Sequence, residues 1–183
     1  MVIIMFNVKK MVLASTLTLI ASTSYCQSVF SADQVTINIT GNVVASPCQV
    51  NPDSANINID LGQDLQSADL NTAGSGSAWK PINVVLENCP AGTSSVTATF
   101  NGTPDADDPE SLYTNTGTAT QVAVQLEGLT EEKYGNGKTS TIDIASVTDG
   151  KPTWKLQTRA FSKNGSVTPG TINSVVTMSF AYN

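Results

Sequence analysis

Residues 34–45 read QVTINITGNVVA. Val35, Ile37, Ile39, Gly41 and Val43 fall two apart, with Thr36, Asn38, Thr40 and Asn42 between them. A period of two with β-branched residues on one side predicts a half-buried strand. Gly41 interrupts the apolar row, which predicts a bulge or the close approach of another backbone. Two readings fit this pattern. One is an ordinary first strand of a β-sandwich, pairing within its own sheet; the other is a strand that pairs with a different molecule.

What precedes the segment favours export. Lys9 and Lys10 are followed by the apolar run Met11–Ile20 and then by small residues, with Val29 and Ser31 placed for cleavage before Ala32. Residues 1–31 are therefore expected to be a secretory signal. Cleavage one residue later and initiation at Met5 or Met11 are alternatives. The apolar run is about ten residues, too short to span a bilayer, and no second run of its kind exists. The leader carries two lysines and no acids, so its removal takes the formal charge from -6 to -8. An acidic surface without histidine argues against nucleic acid or anionic lipid as partner.

The three cysteines divide unevenly. Cys26 lies in the leader, where Thr23 and Tyr25 make a poor lipoprotein signal. Cys48 and Cys89 remain as a lone pair, and in an oxidising compartment a lone pair is most simply a disulfide.

Along the remainder, short alternating runs are punctuated by Gly, Pro, Asn and Asp. Ile57, Ile59 and Leu61 alternate after the turn Asn51–Asp53, and residues 63–78 are a polar loop. Strands are expected over Pro81–Cys89, Val96–Phe100, Leu112–Tyr113, Val122–Leu126, Ile142–Ile144, Trp154–Phe161 and Thr171–Tyr182. The segment Glu131–Lys138 is expected to be a solvated hairpin end. In the last strand Val176, Met178, Phe180 and Tyr182 share a face. Eight or nine short strands, with no 3.6-residue apolar period outside the leader, predict an all-β sandwich of immunoglobulin-like type in a single domain.

The residues that carry chemistry in enzymes are mostly missing. Without histidine there is no Ser-His-Asp, Cys-His or histidine–metal site. Asp105, Asp107, Asp108 and Glu110 lack the glycine and distal glutamate of an EF-hand loop and read as solvated acids. Glu131 and Glu132 are adjacent, so in a strand they point to opposite faces and cannot work as a glycosidase pair. Trp79 and Trp154 could stack on sugars, but read more simply as core or edge packing. Neither catalysis, cofactor nor metal is expected.

Taken together, ADQVTINITGNVVASPC (32–48), AGSGSAWKPINVVLENCPAGTSSVTATF (73–100) and RAFSKNGSVTPGTINSVVTMSFAYN (159–183) resemble the chaperone–usher pilins, and within that family the minor tip subunits of type 1 fimbriae. The resemblance covers the mature chain and extends to its ending, where Gly170 stands fourteen residues from the C-terminus and Tyr182 is next to last. Gln34 departs from it, adding a residue near the start of the extension. The resemblance implies an incomplete immunoglobulin-like sandwich that lacks its last strand and is completed by donor-strand complementation. It implies that residues 32–45 are a donor-strand extension and 46–183 the pilin domain, with Val35, Ile37, Ile39, Gly41 and Val43 as the donor face. Gly170, Val176, Met178, Phe180 and Tyr182 would then belong to the C-terminal strand and the groove beside it. The implied partners are a periplasmic pilus chaperone, an outer-membrane usher and neighbouring fimbrial subunits including the tip adhesin, on a cell-surface fimbrium reached through the periplasm. The competing function is a self-contained secreted carbohydrate-binding sandwich, whose first strand would pair at home.

Overall fold

A computed structural model describes residues 34–44 and 46–183. The expected signal segment 1–31, with Cys26, and the residues Ala32, Asp33 and Ala45 lie outside the described residues. The chain divides into two units at Thr40–Gly41, and all nine strands found among the described residues belong to Gly41–Asn183.

In chain order the strands are β1 (Gln49–Val50), β2 (Ser75–Gly76), β3 (Lys80–Glu87), β4 (Ser95–Gly102), β5 (Leu112–Thr114), β6 (Ala123–Gly128), β7 (Thr139–Asp143), β8 (Thr153–Ser162) and β9 (Val176–Tyr182). One helical turn, α1 (Pro52–Ala55), follows β1; Asn51 caps it by accepting from the Asp53 amide at 3.0 Å, and Pro52 opens it. The strands form two antiparallel sheets. The larger runs β1-β3-β8-β6-β5, with β2 also paired to β8; the smaller runs β7-β4-β9. This is the expected all-β sandwich.

Alternation in the sequence sets which side of each strand is buried. Along β8 the residues Trp154, Leu156, Thr158, Ala160 and Ser162 point inward and are buried. They face Val96, Ala98 and Phe100 of β4, all fully buried, while Val84 and Leu86 of β3 close the same core. A smaller cluster of Leu70, Ala119, Val122 and Ala160 seals one end under the long loops.

Three expectations need correction. Ile57–Leu61 alternates but forms no strand: Asp60 turns the chain by accepting from the Gly62 amide and the Gln63 side chain, and Gly62 takes φ +127°. The last strand begins at Val176, not Thr171. Residues 171–173 are drawn away by the 115–119 segment, through Ala119 N to Thr171 O at 3.1 Å and Thr116 N to Asn173 O at 2.8 Å. Gly170 consequently does not open β9. It lies against the backbone of Ala119, where a Cβ would meet the amide nitrogen at 2.3 Å. The segment Glu131–Lys138 is solvated only in part. Tyr134 turns inward, stacks on Phe100 with ring centroids 4.4 Å apart, and its carbonyl accepts from the Tyr113 hydroxyl at 2.8 Å.

Candidate functional site

The C-terminal strand is where the sandwich stops short. β9 pairs with β4 from Val96↔Tyr182 to Gly102↔Val176, and no described strand pairs with its other edge. Its apolar residues alternate as those of β4 do, yet Val176, Met178, Phe180 and Tyr182 are only half-buried where Val96, Ala98 and Phe100 are sealed. The two rows belong to adjacent strands of one sheet. The difference therefore reflects missing cover at the sheet's edge and not the strand's composition.

The opposing sheet is thin at the matching edge. β1 pairs only with Glu87 and Leu86, so Lys80–Val84 of β3 have β8 on one side and no described strand on the other. Ile82 stays half-buried there. Trp154 of β8 lies beneath, its ring 5.2 Å from that of Phe180 and tilted by 44°. Its Nε1 is buried and has no hydrogen-bond partner among the described residues. Ile57, with no strand to hold it, is 37% exposed. Two sheet edges, β9 and the Lys80–Val84 part of β3, thus each carry half-buried apolar side chains and backbone groups without ladder partners, and the space between these edges is termed the trough.

One end of the trough is closed covalently. Cys48 and Cys89 are disulfide-bonded with Cα atoms 4.2 Å apart, which ties the chain entering β1 to the chain leaving β3. The Tyr182 hydroxyl reaches this corner, donating to the Cys48 carbonyl at 3.4 Å. Burial pushes the Tyr182 phenol above its ordinary pKa, so it stays a donor through the neutral range. The strand's terminus is fastened as well: the Asn183 carbonyl accepts from the Ser94 amide at 2.6 Å, and the Asn183 amide donates to Ser95 O at 3.0 Å.

The N-terminal segment behaves differently from every strand of the sandwich. Residues 34–44 carry no assigned strand, and Val35, Ile37, Ile39 and Val43 are between 76% and 99% exposed. A Cβ placed on Gly41 would meet nothing within 4 Å. Four large β-branched side chains in one short segment, all in water, invert the normal rule for such residues.

Of the residues singled out from sequence, the structure brings Val176, Met178, Phe180 and Tyr182 together on one face and bonds Cys48 to Cys89. It leaves Gly170 outside that face. Sequence reasoning expected a strand over Pro81–Cys89 but did not assign Ile82 and Val84 to the trough, and it treated Trp154 as core or edge packing. The register Val84↔Trp154 and Ile82↔Leu156 sets these residues side by side on the inner face of the large sheet. Only the pairing of β3 with β8, a long-range fact, could have shown this.

Comparison with known proteins agrees with this geometry. The model of the family described as Fimbrial protein matches residues 37–183. The chain is 38% identical over 164 residues to Protein FimG of Escherichia coli (strain K12), covering 90% of this chain and 94% of that protein. It is 35% identical over 157 residues to a type-1 fimbrial protein subunit of Serratia marcescens, covering 80% and 86%. Its fold matches the P pilus rod subunit PapA with a TM-score of 0.62 at 23% identity, covering 75% of this chain and all of that one (100%). A subunit in the structure of a chaperone–usher pilus matches with a TM-score of 0.62 at 22% identity, covering 83% and 97%. The chain accordingly belongs to the fimbrial protein family.

Proposed function

We propose that the chain is the adaptor at the tip of its fimbria, joined to a neighbour on each side by a donated strand. Residues 34–44, freed by removal of a signal within residues 1–31, enter the trough of the subunit ahead, the adhesin. The trough between β3 and β9 receives the extension of the subunit behind. Before assembly a periplasmic chaperone fills the trough, and an outer-membrane usher is where the exchange takes place. The observation that carries this reading is the pairing of an unfinished β9 face with an exposed apolar extension in the same chain.

The energetics are of the right size. Burying Val35, Ile37, Ile39 and Val43 stabilises by roughly 1.5–3 kcal/mol per side chain. Four of them together match the whole stability of an ordinary domain, about 5–15 kcal/mol. Such a trough left empty is costly enough for the chain to need a partner strand at every stage. Backbone pairing along both edges supplies affinity, and the alternate side chains supply register and choice of partner. A self-contained binding module would instead bury this segment in its own sheet.

The test is co-expression with the chaperone and adhesin of the same locus. The chain is expected to be recovered only as a soluble complex with the chaperone, and to transfer from it to the adhesin's pilin domain. A stable, folded monomer purified without any partner would overturn the reading.

A further inference from the structure

We propose that the outer face of the large sheet carries a second contact surface, at which Arg159 takes a carboxylate from a neighbouring fimbrial subunit. The inference rests on the reading of the chain as part of a fibre, but concerns a face remote in register from the trough-lining side chains. Arg159 is the only arginine in the sequence. It projects outward from β8, since Thr158 and Ala160 on either side of it are buried inward.

The guanidinium is held rigidly. Its carbon lies 4.2 Å from the centroid of the Trp79 ring and 5.1 Å from that of Phe161. Nε donates to Gln125 Oε1 at 2.8 Å, and the Gln125 amide in turn donates to Glu127 Oε1 at 2.6 Å. Gln125 and Glu127 are both buried, so the amide cannot turn over without placing its oxygen against a carboxylate. Gly76 of β2 completes the seat, because a Cβ there would come within 2.9 Å of the guanidinium carbon.

What the seat leaves over is the informative part. Among the described residues Arg159 forms no ion pair, and neither terminal amino group has a hydrogen-bond partner. The nearby carboxylate, Glu127, is engaged by Gln125. The amino groups are accessible and not sealed in the stack, so they remain open to a binding partner. A planar fork fixed by its Nε edge and offered by its amino edge matches a carboxylate in bidentate geometry. Trp and Arg together are also the side chains that concentrate binding energy at protein interfaces. Charge complementarity decides the partner. Without the two lysines of residues 1–31, the nine bases fall to seven against fifteen acids, so the subunit is acidic and a neighbour of like composition offers carboxylates in excess.

The experiment places a photo-cross-linking benzoylphenylalanine at Gln157, beside Arg159 on the same outer face, in fimbriae assembled from the complete locus. The same group at Val43 serves as the donor-strand control. Irradiation is expected to join position 157 to a fimbrial subunit identified by mass spectrometry, with a loss of at least tenfold in Arg159→Glu and an unchanged product at position 43. A product at 43 with none at 157, or a product at 157 that persists in Arg159→Glu or contains no fimbrial subunit, overturns this inference and leaves strand donation standing. Loss of the product at 43 alone overturns strand donation, and the result at 157 still decides this one. Should Arg159→Glu fail to assemble, Arg159→Lys keeps the charge and loses the fork; a severalfold drop at 157 is expected, and no drop would overturn the assignment.

Discussion

The Tyr182 hydroxyl donates to the Cys48 carbonyl across 134 residues of sequence, joining the end of the last strand to the disulfide that precedes the first. The contact closes one corner of the trough. Removing only the hydroxyl, as in Tyr182→Phe, should cost about 0.5–1.5 kcal/mol. Tyr182→Ser also removes a ring packed on the core and should cost about 2–4 kcal/mol. Urea unfolding of the subunit complemented with a donor peptide measures both, and recovery with the chaperone should fall in the same order. Equal midpoints for all three proteins would show that the corner contributes nothing.

The disulfide closes a loop with a sequence separation of 41. Chain-entropy arguments put its contribution at about 3–4 kcal/mol. Replacing both cysteines by serine should lower the unfolding midpoint accordingly and reduce the yield of chaperone-bound subunit. Two free thiols in unreduced periplasmic protein, seen by mass spectrometry, would contradict the bridge itself.

Gly170 is needed for closeness and not for an unusual backbone angle. Gly170→Ala sets a methyl 2.3 Å from the Ala119 nitrogen, and that nitrogen donates to Thr171 O in the connection leading to β9. Overpacking of this kind costs about 1–3 kcal/mol. Gly41→Ala, with open space around it, should leave the melting temperature of the chaperone-free complemented domain unchanged. Similar shifts for both variants would remove the distinction.

Burial raises the Tyr113 phenol to about 12, above its ordinary value of 10.0. A raised acid favours its neutral form in the folded state, so the stability it contributes is complete below pH 10. That contribution is lost as pH climbs from there through about 12. A shift of this size corresponds to about 2–3 kcal/mol. Lysines titrate over the same range, so the informative comparison is with Tyr113→Phe, which should lose distinctly less stability between pH 9 and 12. Parallel losses in the two proteins would contradict a buried, neutral Tyr113.

Sequence reading reached the sandwich and its inward faces because alternation is local: Trp154 through Ala160 and Val176 through Tyr182 face as their spacing requires. It misplaced the elements whose fate is decided by distant partners. Ile57–Leu61 has the pattern of a strand but nothing to pair with, and Thr171–Asn173 gives its backbone groups to residues 115–119. Tyr134 looked like part of a charged turn because its partners, Phe100 and Tyr113, are far off in sequence. The trough was legible only as half of an argument. The apolar faces could be read, but which edge lacked a neighbour depends on sheet order. The seat of Arg159 was not legible at all, since Trp79, Gln125 and Phe161 meet it only through the pairing of β2, β6 and β8.

A strand that belongs to its own sandwich and one made for another should respond oppositely to removal. Taking away a core strand strips apolar side chains from the interior and unfolds the domain. Val35, Ile37, Ile39 and Val43 contribute no buried side chain here, so a chain starting at Ser46 should still form a soluble complex with its chaperone. It should melt with the full-length complex to within about 0.5 kcal/mol, as exposed positions do. What it should lose is the capture of the subunit ahead. Ile37→Asp with Ile39→Asp ought to reproduce that loss with the segment still present, since two charges would enter an apolar trough without partners. Acceptance of the next subunit's strand at β9 should survive in both variants, because it uses a different face. Folding and capture can be read from one preparation, by circular dichroism of the chaperone complex and by its exchange with the adhesin's pilin domain. Unfolding of the truncated chain would return Val35–Val43 to the ordinary first strand that its periodicity alone allows.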